Sequence, residues 1–316
     1  MHASTFAIPA PDGASTYVHR WSPDAGAAAR GVVVIAHGLA EHSARYARFA
    51  AALCAAGLAV YAHDHRGHGQ SSPESEHGFF AAENGWARVL DDLSRVVARA
   101  RQEHPGLPLA LFGHSMGSVV VTTWLMGHAQ EEVAAAVLSG PTGKVGPLLH
   151  AGKVMARLER ARIGGRGRSK LLNQMAFGAY NAAFRPNRTE FDWLSKDAAE
   201  VDKYVADPWC GFIPSTQAWI DLLGAQSRVQ APEALRRLPR DLPILVIAGG
   251  RDPVGGMGKG VRAWIELARG AGLSIDDRFW PEGRHELLND TEREDVTAAV
   301  IEWIGRRLER GPRSAR

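Results

Sequence analysis

Gly113-His114-Ser115-Met116-Gly117 sets a serine between two glycines, directly after the apolar run Leu109–Phe112. A G-x-S-x-G segment is a nucleophile elbow when a strand precedes it and a helix follows. The pattern after it, Ser118–His128, is helical. Such a turn lifts a hydroxyl clear of the strand end and sets it over the positive end of the next helix. The competing reading is an ordinary glycine-rich turn. A serine hydroxyl needs a base, and the base needs an acid to orient it. Asp252 lies in Gly249-Gly250-Arg251-Asp252-Pro253-Val254, and His285 in Gly283-Arg284-His285-Glu286. Of thirteen histidines, only His285 follows that acid. Taken singly, Asp252-Pro253 could be a plain turn and His285 a surface histidine. Taken with Ser115, they form an ordered nucleophile, acid and base for acyl transfer. His37-Gly38-Leu39 closes another apolar run, Val32–Ala36. The backbone N–H groups of Leu39 and Met116 are the candidate oxyanion donors.

A second cluster, His63-Asp64-His65-Arg66-Gly67-His68, has residue types that bind zinc. It reads equally as a tight strand-end turn. The serine set supplies nucleophile, base and acid, so no metal and no cofactor is assigned. Cys54 and Cys210 stand far apart in sequence and make neither a disulfide framework nor a metal knuckle.

These residues require rigid elements to converge. Val32–Ala36, Leu58–Ala62, Leu109–Phe112, Ala134–Leu138 and Ile244–Ala248 are short, nearly continuous apolar runs. Runs of that kind are strands buried on both faces of a parallel sheet. Thr16–Trp21 reads as an early antiparallel strand and Ser274–Phe279 as the last one. Between them lie amphipathic segments, among them Arg45–Ala56, Gly85–Glu103, Gly258–Arg269 and Arg293–Leu308. The alternation predicts an α/β fold, a mostly parallel central sheet with helices on both faces. The interval between Gly140 and Ile244 is far too long for one crossover, and its composition is helical. The expected organisation is a core first part over 1–141, an α-helical cap inserted over 142–238, a second core part over 239–310 and a disordered tail over 311–316. Within the cap, Gly164–Gly167 reads as a flexible break. Leu148, Ala151, Met155 and Leu158 read as one apolar helix face, turned onto a pocket or onto a membrane surface.

Composition narrows the class. The 316-residue chain is 45% hydrophobic and 22% charged, as soluble globular proteins are. A net charge of +3 does not mark a nucleic-acid binder. No apolar run approaches the roughly 18 residues of a membrane span, and Met1–Asp12 lacks the pattern of a signal peptide. A cytoplasmic location is the expectation.

Longer motifs carry a family resemblance. His37-Gly38-Leu39-Ala40-Glu41-His42-Ser43-Ala44-Arg45-Tyr46 resembles the H-G-x-x-E-H-x-x-R-Y segment of monoacylglycerol lipases and related bacterial lysophospholipases. Asp64–Ser71 is similar to their D-x-R-G-H-G-x-S turn, and Arg284–Asn289 to their histidine segment. Phe191–Ser195 and Asp207–Phe212 resemble cap segments of the bacterial branch. Proteins of this kind are also grouped as serine aminopeptidase S33, or Hydrolase_4. The resemblance implies an α/β-hydrolase fold, a mobile cap and a serine esterase acting on a small lipid or acyl ester. It also implies that Glu41 and Arg45 shape the polar end of the site, although both are equally readable as an ion pair behind the oxyanion loop. The chain departs from the pattern at Ser118, where glycine is usual. An amide hydrolase or aminopeptidase on the same triad stays open, since Glu190, Asp192, Asp197, Glu200 and Asp202 could hold an amine. A non-catalytic binding protein is the other alternative. Transient membrane contact through the cap is an expectation, and the oligomeric state is not legible.

Overall fold

The apolar runs assemble into one eight-stranded sheet. In a computed structural model describing residues 1–24 and 28–309, the strands are β1 (His2–Pro9), β2 (Ser15–Ser22), β3 (Gly31–Ala36), β4 (Leu58–His63), β5 (Leu109–His114), β6 (Ala135–Ser139), β7 (Ile244–Gly249) and β8 (Ile275–Trp280). Their order is β1-β2-β4-β3-β5-β6-β7-β8. The β1–β2 and β2–β4 pairs are antiparallel and the rest parallel. Every residue of β3, β4, β5, β6 and β7 is buried, as a sheet covered on both faces demands.

The helices are α1 (Ala47–Ala55), α2 (Gly85–Glu103), α3 (Met116–Gly127), α4 (Pro147–Ile163), α5 (Lys170–Asn173), α6 (Ala179–Ala182), α7 (Ala198–Ala206), α8 (Thr216–Arg228), α9 (Pro232–Leu235), α10 (Lys259–Gly270) and α11 (Arg293–Leu308). Side-chain alternation along the strands makes two cores. Val32, Val34, Leu109 and Leu111 meet Val89 and Leu93 of α2, Trp124 of α3 and Trp264 of α10. Val33, Ile35, Ala110 and Phe112 meet Phe49 and Leu53 of α1 and Trp303 of α11. The carboxyl ends of β3, β5, β7 and β8 therefore open at one edge, and the loops carrying Leu39, Ser115, Asp252 and His285 leave from it.

Four expectations are revised. β1 is an additional strand; it is an edge strand with only Phe6 and Ile8 packed against the core, so its pattern is weak. α3 begins at Met116, two residues before the expected start, because the elbow feeds the helix directly. Gly164–Gly167 is a bonded turn: Thr216 N–H donates to the Gly167 carbonyl (2.8 Å) and Gln217 N–H to that of Gly165 (3.0 Å). Those bonds satisfy donors at the start of α8. The buried face of α4 is only partly the expected one. α4 packs on α8 through Leu149 and Ala156, whereas Leu148 and Leu158 are 69% and 58% exposed. Gly152 and Ala156 allow close approach to Leu223 and Trp219, with Met155 packed against the same cluster, while Leu158 is left outward. The expected tail 311–316 lies outside the described residues.

A buried ion pair ties the turn after β4 to α2. Arg66 Nε and Nη2 donate to both oxygens of Asp92 (2.6 and 2.8 Å), and Asp92 is 1% exposed. Breaking a buried pair leaves an uncompensated charge and costs about 3–5 kcal/mol. Arg66→Met is expected near the low end, about 3 kcal/mol, because Arg95 also contacts Asp92. Urea denaturation measures it, and an unchanged midpoint would show that the pair contributes nothing.

Candidate active site

The β5–α3 turn is built by near contact of backbones. A Cβ on Gly117 would lie 2.0 Å from the Ala36 carbonyl oxygen, and one on Gly113 would lie 2.3 Å from that of Gly117. Only glycine fits either place. Between them Ser115 is held at φ 50°, ψ −116°, a conformation that a non-glycine residue adopts only under constraint. Its N–H is bound to the Ser139 carbonyl (2.9 Å). Ser118, where the sequence departs from the family pattern, closes the first turn of α3: its N–H and Oγ both donate to the Ser115 carbonyl (2.9 and 2.6 Å).

The structure brings His285 to Asp252. His285 Nδ1 lies 2.9 Å from Asp252 Oδ2, and the two residues are 2% and 0% exposed. Asp252 Oδ1 accepts the Val254 N–H (2.9 Å). Burial alone would depress the His285 pKa, but Asp252 outweighs burial, aided by Glu286 and Glu41, and the pKa is raised. Ser115 and His285 line the same cavity, of about 270 Å³, together with Leu39 and Met116. The loop after β3, the candidate oxyanion loop, is strapped on both sides of Leu39. Gly38 N–H donates to Glu41 Oε1 (2.6 Å), and Ala40 N–H donates to His68 Nε2 (3.2 Å). The Ala40 carbonyl accepts from Tyr204 Oη–H (2.8 Å) and Gly211 N–H (3.0 Å). A Cβ on Gly38 would stand 3.4 Å from Ser115 Cβ, so this loop touches the serine.

Glu41 and Arg45 are brought together, but differently placed. Glu41 lines the large cavity. Arg45 instead lines a separate space of about 20 Å³ behind it. Its guanidinium is occupied by Glu41 Oε2 (2.6 Å) and by both oxygens of Glu286 (2.7 and 2.6 Å).

The histidine-rich turn does not gather donors around a common point. Asp64 accepts from Ser43 N–H and Oγ–H and from Gln70 N–H. His68 bonds the Ala40 amide, His65 N–H donates to His37 Nε2 (3.0 Å), and both ring nitrogens of His63 are buried without a partner. Metal-type donors that do converge, among the described residues, are His42, Asp207 and Cys210. There His42 Nε2 already bonds Asp207 (2.8 Å), and burial pushes the Cys210 thiol up.

Sequence reasoning missed three contributors. The Trp193 ring lies tilted against that of His285 (centroids 5.1 Å, planes at 38°), and Glu286 N–H donates to the Leu194 carbonyl (2.8 Å). Tyr204 holds the oxyanion loop, as above. The motifs Phe191–Ser195 and Asp207–Phe212 signalled that these stretches matter without saying how. Four of the five carboxylates considered for an amine have partners elsewhere, Asp197 with Arg293 among them. Asp192 binds the backbone of Arg188 and Thr189, Glu200 pairs with Arg48, and Asp202 pairs with Arg188.

A strained serine elbow on a doubly wound sheet, facing a buried His–Asp pair, defines a serine hydrolase of the α/β-hydrolase class. A family model described as "Serine aminopeptidase, S33" (Hydrolase_4) matches residues 27–292. The chain belongs to that family. It is 33% identical to a monoacylglycerol lipase of Mycolicibacterium smegmatis, an alignment covering 90% of each chain. It is 30% identical to the human monoglyceride lipase over 94% of this chain and 88% of that one. A carboxyl esterase from Bacillus coagulans, solved in complex with glycerol, superposes with a TM-score of 0.89 at 25% identity, covering 98% and 99% of the two chains. The protein is a serine hydrolase of carboxylic esters.

The site rests on imidazoles kept neutral. Burial lowers the pKa of His63, His68 and His114 to about 4, and lowers those of His37 and His65 as well. A histidine whose folded pKa lies below its unfolded value stabilises the fold above about 6.5 and loses that contribution as pH falls toward 4. Each of the three costs on the order of 3 kcal/mol once pH reaches 4. Glu286, held down to about 2 against its burial by Arg45, loses its contribution only below about 4.5. His285 runs the other way, since its raised pKa favours the fold at low pH. The balance predicts a thermal midpoint that falls steeply between pH 6.5 and 4. A midpoint flat across that window would contradict the neutral cluster.

Proposed function

We propose that the enzyme hydrolyses monoacylglycerols or lysophospholipids, with Ser115 as nucleophile, His285 as base and Asp252 as its orienting acid. The observation that carries the reading is the strained serine turn and the buried His285–Asp252 pair meeting in an apolar cavity. That cavity runs past Val119, Leu149, Trp219, Leu222 and Leu223, which suits an acyl chain. Glu41 gives its other end a polar edge, which suits an alcohol. Relatives named monoacylglycerol lipase support the substrate class.

In this mechanism Ser115 Oγ attacks the ester carbonyl while His285 Nε2 takes its proton. Asp252 holds Nδ1–H and favours the imidazolium. The Leu39 and Met116 amides receive the developing oxyanion, each contributing about 3–4 kcal/mol by analogy with a measured protease donor. The imidazolium returns the proton to the leaving alcohol, and water repeats the sequence on the acyl-enzyme. Ser115→Ala is expected to lower kcat for p-nitrophenyl esters by at least about 10⁴-fold. Normal turnover in that variant would overturn the mechanism, and residual turnover abolished by a chelator would point to a metal. In a side-by-side screen, aminoacyl amides cleaved faster than monoacylglycerols or lysophospholipids would overturn the substrate reading.

Residues 142–238 are read as the cap, inserted between core parts 1–141 and 239–310. Leu148 and Met175 line the cavity and are also exposed at the surface, beside the exposed Val154, Leu158 and Leu171. This apolar patch at the cavity mouth, with Arg157, Arg160 and Lys170 exposed nearby, suits transient contact with a lipid surface. No helix of the described residues is long and apolar enough to cross a membrane. Replacing Leu148 and Leu158 together by Ser is expected to weaken flotation with anionic vesicles severalfold. Flotation equal to wild type would remove the surface from the proposal.

A further inference from the structure

Two buried carboxylates share one guanidinium behind the site. Glu41 and Glu286 are 3% and 6% exposed, and the Arg45 side chain between them is 12% exposed. Arg45 makes three short bonds to the pair, and its guanidinium carbon lies 4.9 Å from the centre of the Tyr204 ring. The remaining acceptor capacity is also used. Glu41 Oε1 takes the Gly38 N–H (2.6 Å) and the Tyr46 Oη–H (2.9 Å), and Glu286 Oε2 takes Asn289 Nδ2–H (2.9 Å). The unit carries a net charge of −1. A buried excess charge is costly unless something opposite faces it.

What faces it is the base. Glu286 is the next residue after His285. Asp252 reaches His285 from the loop after β7, and His114 from the end of β5, with ring centroids 4.8 Å apart. Glu41 and Arg45 approach from the segment after β3. Two other cations on flanking segments, Arg48 and Arg284, are occupied by Glu200 and Asn289, and by the Asp192 and Ser195 carbonyls. His114 is neutral, so the unit's excess charge is not cancelled locally.

We propose that Glu286 is a positioning residue for the ester hydrolysis: through Arg45 and Glu41 its carboxylate locks the loop bearing His285 to the Gly38 amide at the entry of the oxyanion loop, and the unit's excess negative charge favours the imidazolium formed on His285. The link joins the two parts of the site that lie far apart in sequence, the proton acceptor and the oxyanion donors. It rests on the assignment of Ser115, His285 and Asp252 above.

Steady-state kinetics of Glu286→Gln on a p-nitrophenyl ester, across pH, test it. The amide keeps the shape and one acceptor but removes the charge. The expected result is a kcat lowered about tenfold with KM within about twofold, and an acid limb of kcat/KM moved to lower pH by about half a unit or more. Glu286→Asp keeps the charge but cannot reach Arg45 in the same bidentate way; it should lower kcat and leave the acid limb in place. That variant also tests the link if the glutamine variant does not fold, as checked by circular dichroism. A folded Glu286→Gln with wild-type kcat and an unmoved acid limb overturns the proposal, and so does a folded Glu286→Asp with wild-type kcat. Ser115→Ala is run alongside. If it retains turnover, the underlying site assignment fails. If it is inactive while both Glu286 variants match wild type, only the positioning role fails.

Discussion

One strained peptide turn organises the carboxyl edge of the sheet. Ser115 keeps φ 50° because the turn around it has no room to relax: Gly117 rests on the Ala36 carbonyl and Gly113 on Gly117 itself. Strain of this kind costs of order 1–3 kcal/mol and persists only where surrounding structure over-determines it. Here β3 and β6 flank the turn on either side, and α3 leaves from it at once. The same close approach that creates the strain carries the β3 loop, with Gly38 and Leu39, against the serine. The position of the Ser115 hydroxyl and the position of the loop after β3 are therefore one structural event.

Around that turn, water is replaced by fixed charges and neutral imidazoles. His37, His63, His65 and His68 are packed under the oxyanion loop, where burial keeps them uncharged. His37, His65 and His68 serve as neutral hydrogen-bonding groups, whereas both ring nitrogens of His63 are buried without a partner. His285 is equally buried, yet its pKa moves the opposite way because carboxylates face it. Environment separates these imidazoles into two roles, as it does wherever like groups share a site.

The segment 142–238 completes the enclosure. Trp193 and Leu194 lie on the histidine loop, Tyr204 and Gly211 on the oxyanion loop, and Trp219 on the cavity. A region whose sequence has no sheet pattern thus contacts the loops bearing Ala40 and His285 and lines the cavity. α4 sets Ala156 against Trp219 of α8 and buries Leu149, while Leu148 and Leu158 stay exposed.

The central strands β3 to β7 were legible in sequence because full burial leaves a local signature, an unbroken apolar run between breakers. So were Ser115, Asp252 and His285 as candidates, because each stands at a strand end in a chain order that acyl-transfer chemistry uses. The family motifs placed Trp193 and Glu286 among residues of interest without stating what they touch, whereas Glu41 and Arg45 were readable as the ion pair they form. Edge strand β1 escaped because one-sided packing of two side chains barely patterns eight residues. The inward face of α4 partly escaped because helical periodicity says which residues share a face but not which neighbour will press against it. The Glu41–Arg45–Glu286 unit joins residues about 240 positions apart, and charge pairing over that distance has no local trace. Local sequence determined the strands and the reactive residue types, since propensity and burial act over a few residues. Tertiary structure alone decided the partners, the sign of each histidine's pKa shift and the shape of the cavity, because packing and electrostatics act between segments that only the fold brings together.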